Sequence, residues 1–94
     1  MNAKLEYIMK KCRFDEMWDL LSDQNEDAVI ELKDQLENAL TIASCTVDRM
    51  ELYKTSNMPE YDVTRHINSK TAKRMFGRKL QIVNQYLSAE VEEL

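Results

Sequence analysis

The sequence predicts an all-α protein, a small bundle of three to four helices with one long central helix. The 94 residues contain one glycine and one proline, whereas soluble proteins average about 7% and 5% of these residues. Because tight turns and short strands depend on glycine and proline, their scarcity argues against a sheet protein. Abundant leucine, glutamate, lysine, methionine and alanine favour helix instead. We expect residues 1–94 to form a single helical domain.

The first predicted helix covers residues 2–21. Its apolar residues form one stripe within residues 5–12 and another within residues 14–21, both at helical spacing. On an ideal helix these two stripes do not continue each other. We therefore expect a break near residues 13–15, with Asp15 as a new N-cap.

The long central helix is predicted over residues 26–54, after a polar break in which Asn25 or Asp23 supplies the N-cap. From Asp27 to Lys54 it would be about 42 Å long, longer than the roughly 33 Å diameter of a compact globule of this size. Either the helix is bent or broken, or a second copy or a partner covers the overhang. One face carries an apolar stripe that we expect to carry assembly: Val29, Leu32, Leu36, Ala43 and Met50.

The last third of the chain predicts two further helices, over residues 60–68 and 69–90. Pro59 suits the first turn of a helix, with Ser56 or Asn57 as its cap. Asn68 and Ser69 are typical of a turn and cap, although the helix could also run straight through them.

Charge is distributed unevenly along the chain, whose net charge is −4. Residues 1–54 hold 12 acids and 7 bases, a balance of −5, and residues 55–94 hold 5 acids and 6 bases, a balance of +1. No acid lies between Asp62 and Glu90. The candidate partner-binding residues all fall in this acid-free segment: Arg65, Lys70, Lys73, Arg74, Arg78 and Lys79.

Three interpretations of this basic segment stay open. It could be a solvated helix face, which is what charge runs usually are. It could dock an acidic protein surface, including the acidic helix of another copy, or it could contact nucleic acid. The overall negative charge weighs against nucleic acid, since the field of the whole protein repels phosphate at long range.

Catalytic, metal and cofactor motifs are not found in the sequence. A single glycine excludes phosphate-binding glycine-rich loops. Asp23, Asn25 and Asp27 alternate as in a calcium loop, but the required glycine and final glutamate are missing. His66 is the one histidine, and we expect it at the surface. Cys12 and Cys45 form no recognisable redox pair.

The sequence therefore predicts a non-enzymatic protein without cofactors or metal. Our leading hypothesis is a cytoplasmic protein-interaction module, a small accessory regulator or inhibitor that self-associates as a homodimer. The alternative is a nucleic-acid-binding regulator that uses the basic C-terminal segment. No apolar run approaches the roughly 20 residues that a membrane span requires, so no membrane association is expected. Trp18 is predicted to pack in the core, and Met58 to be an exposed apolar contact.

Overall fold

The computed structural model describes residues 3–92 of the chain, and side chains as far as residue 89. The described residues form helices joined by short turns, with no strand, which confirms the all-α bundle. The predicted start of the first helix at Asn2 lies outside the described residues. The elements in chain order are α1 (Ala3–Lys10), a 3-10 turn (Phe14–Glu16), α2 (Met17–Ser22), α3 (Glu26–Thr55) and α4 (Val63–Glu92).

Helix α3 is the long central helix, and its predicted bounds are confirmed to within one residue. Asn25 caps its start, because the side-chain oxygen accepts a hydrogen bond from the backbone N–H of Ala28 at 2.8 Å. At its end Asn57 adopts a left-handed conformation, with φ of 51°. The N–H of Met58 then reaches the carbonyl of Tyr53 at 2.9 Å. This Schellman arrangement satisfies the last carbonyls and ends the helix.

Helix α4 runs unbroken from Val63 to Glu92, so the predicted division into helices 60–68 and 69–90 is wrong. Asn68 and Ser69 lie inside it, with no proline or glycine beside them to interrupt the backbone hydrogen bonds. The cap is Asp62, whose carboxylate accepts from the N–H of Arg65 at 3.1 Å. Ser56 and Asn57 instead end α3.

The break in the first segment is confirmed in position but not in its cap. Helix α1 already ends at Lys10. Asp15 does not cap the next element; the carboxylate of Glu16 does so by accepting from the N–H of Arg13 at 2.9 Å and the hydroxyl of Tyr7 at 3.1 Å. These hydrogen bonds lower the pKa of Glu16, and the bond to Glu16 raises the pKa of Tyr7.

The core forms where α1, the 3-10 turn and α2 pack on one half of an α3–α4 hairpin. Its buried residues come from all the helices: Leu5, Ile8, Met9, Cys12, Met17, Leu21, Val29, Leu32, Leu36, Ile82, Val83 and Tyr86. The stripe predicted to carry assembly (Val29, Leu32, Leu36, Ala43 and Met50) is buried inside the chain. Contrary to the prediction, the burial of these five residues leaves little surface for a second copy.

The α3–α4 hairpin is much longer than the part that α1 and α2 cover. Each helix has 30 residues, about 45 Å at 1.5 Å per residue, and the molecule measures 54 × 25 × 22 Å. In the far half of the hairpin, α3 and α4 cover each other. The residues buried there, apart from the main core, are Ala43, Val47, Met50 and His66. The expected overhang is therefore present. None of the helices described is long and apolar enough to cross a membrane.

Lys79 is buried, with 1% of its surface exposed, which overturns its assignment to a partner-binding face. Its Nζ donates to the carbonyl oxygens of Ile8 at 2.7 Å and Met9 at 3.0 Å. These carbonyls lie in the last turn of α1, which lacks intrahelical donors and carries the negative end of the helix dipole. Lys79 thereby anchors α1 to α4. Burial lowers the pKa of its ammonium group.

Replacing Lys79 with methionine tests this anchor. Lys79→Met keeps an apolar stem but removes the charged donor from both carbonyls, so the free energy of unfolding should fall by about 2 kcal/mol. Urea unfolding at pH 7 measures the change. Lys11→Met, at an exposed position just after α1, is the control and should change stability by less than about 0.5 kcal/mol. Equal losses in the free energy of unfolding for the two variants would contradict the anchoring role of Lys79.

Glu16 gives the fold a defined acid sensitivity. Since its folded-state pKa lies below the ordinary value of 4.5, its stabilising contribution is complete above that value and is lost as pH falls through the lowered pKa. Wild type should therefore be more stable than Glu16→Gln at pH 7, and the difference should shrink below pH 4.5. Urea unfolding over a pH series measures this, with the exposed Asp19→Asn as control. A difference independent of pH would refute it.

Candidate functional site

An unpaired basic surface lies along α4. From Val63 to Ala89 the helix contains no acid. Its exposed bases are Arg65, Lys70, Lys73, Arg74 and Arg78. Among the described residues, none of these five has a carboxylate within 4 Å, since the ion pairs lie in α1, beside the 3-10 turn and at His66. Arg78 donates to the side-chain oxygen of Gln81 at 3.2 Å, but no carboxylate neutralises any of the five, so an anionic group from outside the chain can bind them.

Four of these bases border a groove between α3 and α4, which we call the α3–α4 groove. It encloses about 700 Å³, and α3 and α4 supply all its lining residues. Leu40, Val47 and Gly77 are its apolar and small lining residues. The α4 side of the groove is the basic rim, made of Lys70, Lys73, Arg74 and Arg78.

Arg65 does not join the basic rim. It lines a second groove, of about 600 Å³, together with Asp62, Ile42 and Phe76. Ile42 lies two residues after Leu40, which places it on the opposite side of α3. Of the six bases predicted to act together, the structure brings four to one groove, places one on the other side and buries Lys79.

Acids occupy the α3 side of the same groove. Glu51 lines it directly. Asp48 lies one turn before Glu51, and Glu37 lies three turns before Asp48 on the same stripe of α3. All three are exposed; we call them the acidic rim. The groove therefore has rims of opposite charge.

Gly77 leaves the groove open at its middle. A Cβ built on Gly77 would meet the Cδ1 atom of Leu40 at 3.9 Å, an ordinary van der Waals contact. The packing of α3 on α4 therefore does not require glycine here, although glycine inside a helix costs about 1 kcal/mol relative to alanine. The space beside Gly77 is available to an occupant of the groove.

His66 is buried near the far end of the hairpin, and its predicted surface position is wrong. Only 5% of it is exposed. Its Nδ1 shares a hydrogen bond of 3.0 Å with the hydroxyl of Tyr61, while its Nε2 lies 3.9 Å from the carboxylate of Glu51 and makes no hydrogen bond. A two-heptad spacing from His66 to the half-buried Leu80 was the signal that could have predicted this burial.

Two aromatic side chains near the base of the hairpin are half exposed. Trp18 is 43% exposed, so its predicted place in the core is only partly right; its ring packs edge-on against Tyr86 with centroids 5.1 Å apart. Phe14 lines a pocket with Met75, Arg74 and Arg78, and the two arginines also border the α3–α4 groove. The predicted exposure of Met58 is confirmed.

The described residues hold few groups suited to catalysis. No group of three or more His, Cys, Asp or Glu side chains among them could hold a metal ion. Burial raises the pKa of the Cys12 thiol, which donates to the carbonyl of Ile8 at 3.1 Å, and so disfavours the thiolate that a nucleophile requires. The polar neighbours of His66 are Tyr61 and Glu51 rather than a cysteine.

Comparison with protein-family models, with curated proteins and with solved structures gave no match for this chain. Its function must therefore be inferred from the geometry and charge of the groove.

Substituting Gly77 tests whether the groove is open in the folded chain. Gly77→Ala should raise the free energy of unfolding by about 1 kcal/mol, because alanine favours helix and its methyl group finds room beside Leu40. Chemical denaturation at a protein concentration where the chain is monomeric measures this. A loss of stability would show that the space beside Gly77 is already filled.

Proposed function

We propose that this chain is a non-enzymatic helical interaction module, a small accessory regulator or inhibitor that acts by occupying a surface of another macromolecule. We assign its working surface to the α3–α4 groove. We place it in the cytoplasm, and the two free cysteines, Cys12 and Cys45, accord with a reducing compartment.

The observation that carries this proposal is the unpaired basic rim beside an open apolar lining. Lys70, Lys73, Arg74 and Arg78 have no ionic partner among the described residues. Arg74 and Arg78 are one helical turn apart, a spacing that suits two carboxylates on successive turns of a facing helix. Polar groups around an apolar centre are the usual anatomy of a protein interface.

An acidic protein surface fits the groove better than nucleic acid does. Glu51 lies in the groove itself, and Glu37 and Asp48 extend the acidic rim along the same face. These carboxylates would repel a phosphate backbone, as would the net charge of −4. A protein partner can instead present acids to one rim and bases to the other. The acid-free length of α4 supports the nucleic-acid alternative, which predicts binding that weakens steeply with salt.

Fluorescence anisotropy distinguishes these two partners. The probes are a labelled amphipathic helical peptide with glutamates one turn apart, a duplex oligonucleotide and a single-stranded oligonucleotide, each titrated at ~50 mM and ~200 mM salt. The peptide should bind, and Arg74→Glu combined with Arg78→Glu should weaken binding at least ~30-fold, because two ionic contacts become repulsive. Lys4→Glu with Lys11→Glu, exposed on and after α1, is the matched control and should leave binding unchanged.

Tight, salt-sensitive binding of an oligonucleotide that is lost in the Arg74→Glu, Arg78→Glu variant would establish the nucleic-acid alternative instead. No binding of any probe at low salt would contradict the assignment of the groove as an anion-docking surface.

A further inference from the structure

The two rims of the α3–α4 groove are complementary to each other along their length. Leu40 lies beside Gly77, and α3 and α4 are antiparallel neighbours. Val47 is therefore level with Lys70, which puts Asp48 one residue from the level of that lysine. By the same register Glu37 is two residues from the level of Arg78. At 1.5 Å per residue these offsets along the helix axes are about 1.5 and 3 Å, which is less than the length of the charged side chains.

These opposite charges do not pair within one chain. Among the described residues no lysine or arginine of the basic rim lies within 4 Å of a carboxylate, and Glu51 instead approaches the Nε2 atom of His66 at 3.9 Å. The groove between the rims separates them. A face that carries acids on one side and bases on the other at matching levels can be satisfied by a second copy of itself.

Only one face-to-face arrangement brings opposite charges together. A two-fold axis parallel to the hairpin places α4 of each copy over α3 of the other at the same level, so that each basic rim meets an acidic rim. A two-fold axis in the interface but perpendicular to the helices would place α4 over α4, with bases against bases. Like charges across an interface cost several kcal/mol. The charge pattern therefore selects the first arrangement.

The lining of the groove suits the same arrangement. Gly77 allows the backbone of a facing helix to approach closely, and no packing inside the chain requires glycine there. In the resulting bundle of four helices, each helix runs antiparallel to both its neighbour in the chain and its neighbour in the other copy. Antiparallel neighbours bring helix ends of opposite partial charge together.

We propose that the acidic protein surface that fills the α3–α4 groove is the acidic rim of a second copy. Two chains then form a face-to-face dimer whose two-fold axis is parallel to the hairpin. This inference rests on the proposed function and names the partner of the same groove. The interface consists of the exposed rims, not the buried stripe from Val29 to Met50.

Charge-swapped variants test the dimer by their mass in solution. The basic-rim variant carries Lys70→Glu and Arg78→Glu, and the acidic-rim variant carries Glu37→Lys and Asp48→Lys. Light scattering and sedimentation at micromolar concentration should give twice the 11.1 kDa chain mass for the wild type. Each variant alone should have a dimer dissociation constant raised at least ~100-fold, because both contact regions become repulsive.

Mixing the two variants is the decisive step. In an equimolar mixture every reversed rim meets a reversed rim of opposite sign, so a heterodimer should form with a dissociation constant within ~10-fold of the wild-type value. Matched controls with the same charge changes elsewhere are Lys4→Glu with Lys11→Glu, and Asp19→Lys with Asp23→Lys. Both should remain dimeric. Circular dichroism checks that every variant keeps its helix content.

Three results would overturn the proposal: a wild-type mass of 11.1 kDa even at ~100 µM, a dimer that persists in both variants, or a mixture that stays monomeric. These results separate from a failure of the proposed function. A monomeric wild type that still binds the acidic peptide through Arg74 and Arg78 would refute the proposed dimer and support the proposed docking role of the groove. A monomer that binds no anionic probe would refute both the dimer and the docking role of the groove.

Discussion

The length mismatch between the hairpin and the elements that cover it governs this structure. Helices α3 and α4 have 30 residues each, whereas α1 and α2 have 8 and 6. The short elements can bury only one half of the hairpin, on one side. Lys79 holds them there by joining α4 to the last turn of α1. The rest of the hairpin keeps an uncovered groove, and a helical protein that leaves such a surface open has room for a partner.

Local signals in the sequence were sufficient for the central helix α3 but not for the unbroken length of α4 or for every charged residue. Asn25 and the periodic apolar residues after it define α3 almost to the residue, because caps and stripes are properties of neighbouring positions. Lys79 was misassigned because its acceptors are carbonyls 71 and 70 residues away, which no local pattern contains. His66 was misassigned for a similar reason: one of its two polar neighbours lies on another helix. Arg65 shares the composition of the basic rim but not its side of the helix.

The charge pattern gives the groove two possible roles that compete for one surface. If the acidic rim of a second copy occupies the basic rim, an acidic partner must displace that copy in order to bind. The dimer would then be the resting form, and an acidic partner would shift the population toward a complex with the monomer. The far half of α3 is covered by α4 of the same chain, and the proposed dimer uses the exposed rims where the sequence predicted assembly through the buried stripe.

Small-angle X-ray scattering tests the face-to-face dimer most directly. Because the two-fold axis runs along the hairpin, a dimer of this kind keeps the 54 Å length of one chain and grows only in cross-section. The expected result is twice the mass of one chain with almost no increase in the longest dimension. A particle of twice the mass but much greater length would contradict pairing through the rims, and a particle with the mass of one chain would contradict the dimer itself.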